Sequence, residues 1–185
     1  MLVIEPTAWI AQPWRNGAGT THELVRWPET GPFAIRISVA DITAPAPFSA
    51  FAGYRRWLYL LDGGPVTLAI DGRDTVIAVP GDGVEFAGDA TVAATTVARP
   101  SRDLNFMVES PRSVRCEVLR GSSSHELAGG AVAVFVIGGE AAVSAGPRRS
   151  VLGRHGCAWA TDERLGLELS AAASVAILVA DRTTS

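Results

Sequence analysis

At 185 residues the chain is long enough for one compact domain, or two fused half-domains, with a core of its own. Hydrophobic residues make up 48% and charged residues 19%, with a formal net charge of −3, an ordinary globular balance that excludes a disordered chain. The 16 basic residues are all arginine and are scattered, so no cation row fits a phosphate backbone and no lysine exists to form a Schiff base.

Met1 to Trp9 carries Glu5 and Pro6 and lacks a basic start followed by an apolar stretch, so it does not read as a signal peptide. No apolar run approaches the ~18 residues of a membrane span. A cytoplasmic protein with neither nucleic acid nor membrane as partner is expected. Trp14-Arg15-Asn16-Gly17-Ala18-Gly19-Thr20-Thr21 then sets an amide, two hydroxyls and flexible backbone behind an aromatic anchor. Phe33, Ile35, Ile37 and Val39 alternate with Ala34, Arg36, Ser38 and Ala40, the period-2 pattern of a two-faced strand. Ala44 to Pro47 reads as a loop. Short apolar segments follow at Trp57–Leu61, Val66–Ile70, Thr75–Val79, Thr91–Ala98 and Leu104–Val108. Turn signals separate them, among them Asp62-Gly63-Gly64-Pro65, Asp71-Gly72 and Pro80-Gly81-Asp82-Gly83. Gly121 to Gly130, with three consecutive serines, reads as a linker, and Ala171 to Ala180 as a buried strand.

Sliding the chain by 75 positions lays Tyr59-Leu60-Leu61 on Val134-Phe135-Val136 and continues without a gap. Gly63 and Gly64 meet Gly138 and Gly139, Arg73 meets Arg148, and Gly81 meets Gly156. Recurrent glycines at equivalent turns point to a duplication, one barrel over roughly the first 110 residues and a second over the rest. The order of strand, Gly turn, strand and Pro80-Gly81-Asp82 also resembles a cupin barrel, with His155-Gly156-Cys157 marking a degenerate second copy. The expected fold is therefore all-β, a bicupin of two tandem cupin-type barrels of the RmlC-like jelly-roll kind. The division is set at 1–120 and 121–185.

Metal-dependent cupins gather histidines and a carboxylate on adjacent strands. His22, His125 and His155 are far apart in sequence, and Cys116 and Cys157 are too few and too isolated for a zinc site or a disulfide framework, so no metal and no cofactor are expected. No nucleophile elbow is present. The remaining chemistry is polar. Arg36 and Ser38 share one strand face, and an arginine turned into a barrel needs an anion or a carboxylate. The alternatives for Arg36 are solvent or a pair with Glu23. Asp103 and Asn105 likewise share a face, as ligand groups or as caps of a strand entrance.

These clusters resemble the HutD/Ves family. The likeness runs through Trp14-Arg15-Asn16-Gly17-Ala18-Gly19-Thr20, Glu23-Leu24, Ile35-Arg36-Ile37-Ser38, Pro47-Phe48-Ser49, Arg56 and Asp103-Leu104-Asn105-Phe106-Met107. Arg55 departs from an acidic residue usual before the arginine, and Ala18 from a frequent glycine. The resemblance implies a bicupin without a catalytic metal, tied to histidine utilisation and binding an acidic metabolite such as N-formylglutamate in a regulatory role. Arg36 and Arg56 are then expected to hold the carboxylates, with Asn16, Thr20, Ser38 and Asn105 orienting the ligand. One alternative is an interaction or homodimerisation module using Ala131 to Ile137 and Ser174 to Ala180. Another is a metal-free enzyme with Glu23 or Asp103 as general base.

Overall fold

The computed structural model describes residues 1–14 and 19–181. They divide into two units, Ile10–Ser110 and a second assembled from Met1–Trp9 and the chain from Pro111 onward. In chain order, β1 (Leu2–Ile4) precedes the strands of the first unit: β2 (Ile10–Pro13), β3 (Gly19–Trp27), β4 (Ile35–Ile42), β5 (Ala46–Pro47), β6 (Tyr54–Asp62), β7 (Val66–Ile70), β8 (Arg73–Ile77), β9 (Gly83–Ala87), β10 (Val92–Val97) and β11 (Ser101–Glu109). The second unit continues with β12 (Val114–Arg120), β13 (Ser123–Leu127), β14 (Ala131–Gly138), β15 (Ala141–Ala145), β16 (Arg148–Leu152), β17 (Cys157–Thr161), β18 (Leu165–Leu169) and β19 (Ser174–Ala180). Among the described residues the only helical turn is a 3-10 turn at Pro6–Ala8, and no helix is long and apolar enough to cross a membrane.

The first unit holds a sheet of order β2-β3-β4-β11-β6-β9 and another of order β5-β10-β7-β8. Alternation along the strands sends Ile42, Leu58, Leu60, Leu68, Ile77 and Val92 into one shared core between them. The opposite face of β4, β6 and β11 is also buried and apolar, with Ile37, Val39, Tyr59, Leu104 and Phe106. Burial on both faces is why β6 and β11 read as nearly unbroken apolar runs. Asp71-Gly72 turns β7 into β8 as a two-residue hairpin, both residues at positive φ (50° and 77°), as a type I′ turn demands.

The closed barrels expected from the sequence are open pairs of sheets. At the end of β8 the N–H groups of Ala78 and Val79 donate to the Asp82 carboxylate at 3.0 Å each, and Pro80 has no N–H to give. The chain therefore crosses from one sheet to the other without extending a ladder. The Gly121–Gly130 stretch is likewise corrected: it contains β13, which pairs residue by residue with β18. Serine and glycine there hid a strand whose alternate residues, His125 and Leu127, face one way.

The second unit repeats the strand order of the first. β13-β18-β15-β16 matches β5-β10-β7-β8, β17-β14-β19-β12 matches β9-β6-β11-β4, and β1 adds an edge beside β17. The spacing of 75 holds for β7 and β8 against β15 and β16 but fails for β6 against β14. In β6 the pairing with β11 skips at Leu61, and in β14 the pairing with β19 skips at Ile137, an offset of 76. The ungapped self-match thus put Tyr59 on inward-facing Val134, whereas Leu58 is its counterpart. One residue of slip reverses every side chain.

Gly63 and Gly139 hold the same place after these strands, with φ of +80° and +70°. A Cβ on Gly63 would lie 2.4 Å from the Pro100 carbonyl oxygen and 2.7 Å from the Ser101 Cα, both backbone. Gly63→Ala is expected to destabilise the unit by about 1–3 kcal/mol through overpacking, on top of the left-handed strain. Gly72→Ala is the control, because φ is +77° there and nothing lies within 4 Å of the added carbon. Parallel urea melts should find Gly63→Ala clearly the weaker variant. Equal midpoints would refute the packing argument.

Candidate functional site

The inward face of the six-stranded sheet changes character along its length. Ile42 and Leu60 lie in the apolar core, but the residues further along β4, β6 and β11 are Arg36, Ser38, Arg56, Asp103 and Asn105. Register brings them side by side. Met107 pairs with both Arg36 and Arg56, Asn105 with both Ser38 and Leu58, and Asp103 with both Ala40 and Leu60. They line a cavity of about 520 Å³, walled on its apolar side by Trp14, Phe48, Phe51 and Met107. Trp14 donates its indole N–H to the Thr21 hydroxyl at 2.8 Å and meets Phe48 edge-on, fixing that wall.

The cavity floor is a buried polar relay. Arg56, 6% exposed, donates from Nη1 to the Ser49 carbonyl oxygen at 3.0 Å and from Nη2 to Asn105 Oδ1 at 2.9 Å. Asn105 in turn donates from Nδ2 to Asp103 Oδ1. Phe86, Phe51 and Phe48 surround the guanidinium, with ring centroids 4.9, 5.6 and 5.9 Å from its carbon. Removal from water penalises both charged groups. Burial lowers the Arg56 pKa to about 10, against the pull of Asp103. Burial raises the Asp103 carboxyl to about 7, although Arg56 and Asn105 favour its ionised form. Two atoms of the relay, Arg56 Nε and Asp103 Oδ2, are buried without a hydrogen bond.

Arg36 stands above this floor. Its Nε donates to Glu23 Oε2 at 2.7 Å, and both side chains are largely shielded, at 14% and 19% exposure. Arg36 does not turn out to solvent; it lines the cavity and pairs with Glu23 at once. The pair uses only Nε, so the Nη edge of the guanidinium keeps its donors for another acceptor.

Arg36, Ser38, Arg56 and Asn105 are therefore brought together. Thr20 is not. It pairs with Asp41 on the other face of β3 and lines a second depression with Asp41, Asp62 and Arg102. There Asp41 accepts from Arg102 at 2.8 Å and contacts His22 at 2.9 Å. Thr21, one residue on, holds the position facing the cavity. Asn16 lies outside the described residues. Arg55 points the opposite way from Arg56 and pairs with Glu85, which also accepts the Trp57 indole N–H at 3.0 Å. Reading residues alone missed Thr21, Ser49 and Phe51. The strand alternation that joins Glu23 to Thr21 was the signal that pointed to the first.

With the one-residue slip corrected, the second unit has Val132, Val175 and Ile177 where the first has Arg56, Asp103 and Asn105. All three are fully buried and belong to its apolar core. Among the described residues no group of three histidine, cysteine, aspartate or glutamate side chains converges.

The HutD family model matches residues 7–179. A Pseudomonas putida protein described as an uncharacterized 21.2 kDa protein in the hutC 3′ region is 33% identical over 163 residues, covering 85% of this chain and 86% of that protein. Protein Ves of Citrobacter koseri is 40% identical over 101 residues, which span 54% of this chain and 53% of Ves. The solved structure of HutD from Pseudomonas fluorescens SBW25 superposes with a TM-score of 0.85 at 28% identity, covering 98% of this chain and 99% of that one. For the fold alone, a cupin 2 conserved barrel domain protein from Leptotrichia buccalis matches with a TM-score of 0.63 at 11% identity, over 87% of this chain and 88% of that one. An all-β, cupin-like chain matched over nearly its whole length by one family model, this protein belongs to the HutD family.

Proposed function

We propose that this protein binds a small acidic metabolite, without a metal, in the cavity of the Ile10–Ser110 unit. The observation that carries the reading is Arg36: an arginine inside a 520 Å³ cavity, anchored through Nε by Glu23, with its Nη edge left over for a carboxylate. Ser38 and the Arg56–Asn105 pair supply the neighbouring polar contacts, and Trp14, Phe48 and Phe51 supply an apolar wall. The apolar counterparts Val132, Val175 and Ile177 support one site per chain. On this reading the units are tandem cupin-type modules, a bicupin in which only the first keeps a polar interior. The name of the Pseudomonas putida relative refers to the hutC 3′ region, which supports a link to histidine utilisation; a cytoplasmic, regulatory role there is part of the proposal. N-Formylglutamate is then the leading candidate ligand.

Calorimetry with N-formylglutamate, urocanate, histidine, glutamate and formate tests this. One acid should bind saturably, and Arg36→Ala should weaken it at least tenfold, the ~1.5–3 kcal/mol of a hydrogen bond to a charged group. Unchanged binding by Arg36→Ala would withdraw the assignment. A second reading, turnover with Asp103 as general base, is favoured by a carboxyl poised near neutrality. An NMR time course of the bound acid would reveal it.

A further inference from the structure

The cavity floor contains an acceptor that the anion-binding reading does not use. Asp103 is 1% exposed and lines the cavity. One of its oxygens is satisfied by Asn105, while Oδ2 has no hydrogen bond. Native proteins rarely leave a buried carboxylate oxygen unpaired, because the missing bond carries the full desolvation penalty. Among the described residues no donor reaches it, and the one other unpaired polar atom of the relay, Arg56 Nε, makes no hydrogen bond to it. Asn105 donates to the other oxygen, Oδ1, and accepts from Arg56, while the Nη groups of Arg56 point to Ser49 and Asn105. The terminal torsion of an aspartate is broad, so Oδ2 can swing toward the cavity without backbone movement.

Charge points the same way. Arg36 is balanced by Glu23, and Arg56 by Asp103 through Asn105, so the cavity with all four ionised is neutral. A purely anionic ligand would add an uncompensated negative charge beside a buried carboxylate. An ammonium N–H cancels that charge, whereas an amide N–H leaves the ligand anionic and offsets the repulsion only by placing a donor against Asp103 while the carboxylate meets Arg36.

Resting on the anion-binding reading above, we infer that the ligand is an amino acid or N-acylamino acid, and that Asp103 Oδ2 selects it by accepting the N–H beside its carboxylate. Asp103 is in this view a specificity residue, and acids that lack the N–H are rejected.

Four probes of one carbon skeleton decide the matter. L-Glutamate and N-acetyl-L-glutamate offer N–H donors at the second carbon, whereas glutarate offers nothing there and 2-oxoglutarate offers only an acceptor. Calorimetry on the full chain should find at least one of the first two binding ten times or more tighter than both of the others. Asp103→Leu should collapse that gap, weakening the N–H ligands and, by removing the buried carboxylate, tightening glutarate. Should this variant not fold, the wild-type series stands alone as the test. Glutarate or 2-oxoglutarate binding as tightly as the N–H ligands overturns the inference and leaves the anion site intact, and so does a gap that survives in Asp103→Leu. Tight 2-oxoglutarate binding with proton uptake, seen as a buffer-dependent enthalpy, would make Asp103 a donor and also overturn it. If none of the four acids nor N-formylglutamate binds, the anion-binding reading fails and takes this inference with it.

Discussion

Replacing Arg56 by alanine should lower the stability of the Ile10–Ser110 unit by about 3–5 kcal/mol, the range for removing one member of a buried charged pair. The guanidinium is 6% exposed and ties the Ser49 backbone, Asn105 and, through Asn105, Asp103 into one network between β6, β11 and the loop after β5. Without it, Asn105 Oδ1 loses its donor and Asp103 loses the cation that favours its ionised form. Three phenylalanines also lose the cation they surround. The neighbouring residue supplies the control. Arg55 is 42% exposed at its side chain and pairs with Glu85 at the surface, where such pairs are worth ~0–1 kcal/mol. Urea unfolding followed by tryptophan fluorescence should therefore separate two adjacent arginines by several kcal/mol. Substituting Asp103 by leucine in the Arg56→Ala background should recover part of the loss, since an apolar replacement of both members avoids the stranded charge. Comparable midpoints for Arg55→Ala and Arg56→Ala would contradict the buried network.

Much of this network could be read from residue order, because strand alternation is local. Arg36 with Ser38, and Asp103 with Asn105, are each two apart on one strand, so each pair had to share a face. That β6 lies against β11, bringing Arg56 to Asn105, is a contact between residues 49 apart and no local pattern announces it. The Thr20 expectation failed on the same alternation that placed Arg36. Glu23 faces inward to reach Arg36, and two residues back along β3 is Thr21. The duplication was visible in the glycines, yet the ungapped comparison inverted β14, because the single-residue difference falls in the turn beyond the bulges at Leu61 and Ile137. Until that slip is corrected, the replacement of Arg56, Asp103 and Asn105 by apolar residues in the second unit stays hidden. The linker reading of Gly121–Gly130 failed for a different reason. A short edge strand such as β13 is held by its pairing with β18, which serine and glycine permit but do not signal.

The pH dependence of stability is expected to carry a component of unusual sign for an acidic residue. Burial raises the Asp103 carboxyl from 3.8 to about 7, with Arg56 and Asn105 opposing the rise and Asp41 adding to it. An acid whose pKa is raised on folding holds its proton more tightly in the folded state. Its contribution to stability is therefore complete below about 3.8 and is lost as pH climbs through about 7. A displacement of that size amounts to on the order of 4 kcal/mol at most. Other carboxylates run the other way. Burial works against ionisation of Asp41, but hydrogen bonds from His22 and Arg102 prevail and lower its pKa, so its contribution is present near neutrality and lost in acid. The total curve mixes both, and the difference between wild type and Asp103→Asn isolates the one of interest. Asparagine mimics the protonated acid in shape and charge and does not titrate. The variant should be closest to wild type near pH 4 and should gain on it steadily from pH 4 to pH 8, by up to the figure above. A difference that stays flat, or that shrinks as pH rises, would mean that Asp103 is ionised throughout that range. The relay would then hold a permanent Arg56–Asp103 charge pair, with Asp103 Oδ2 buried beside it and without a hydrogen bond.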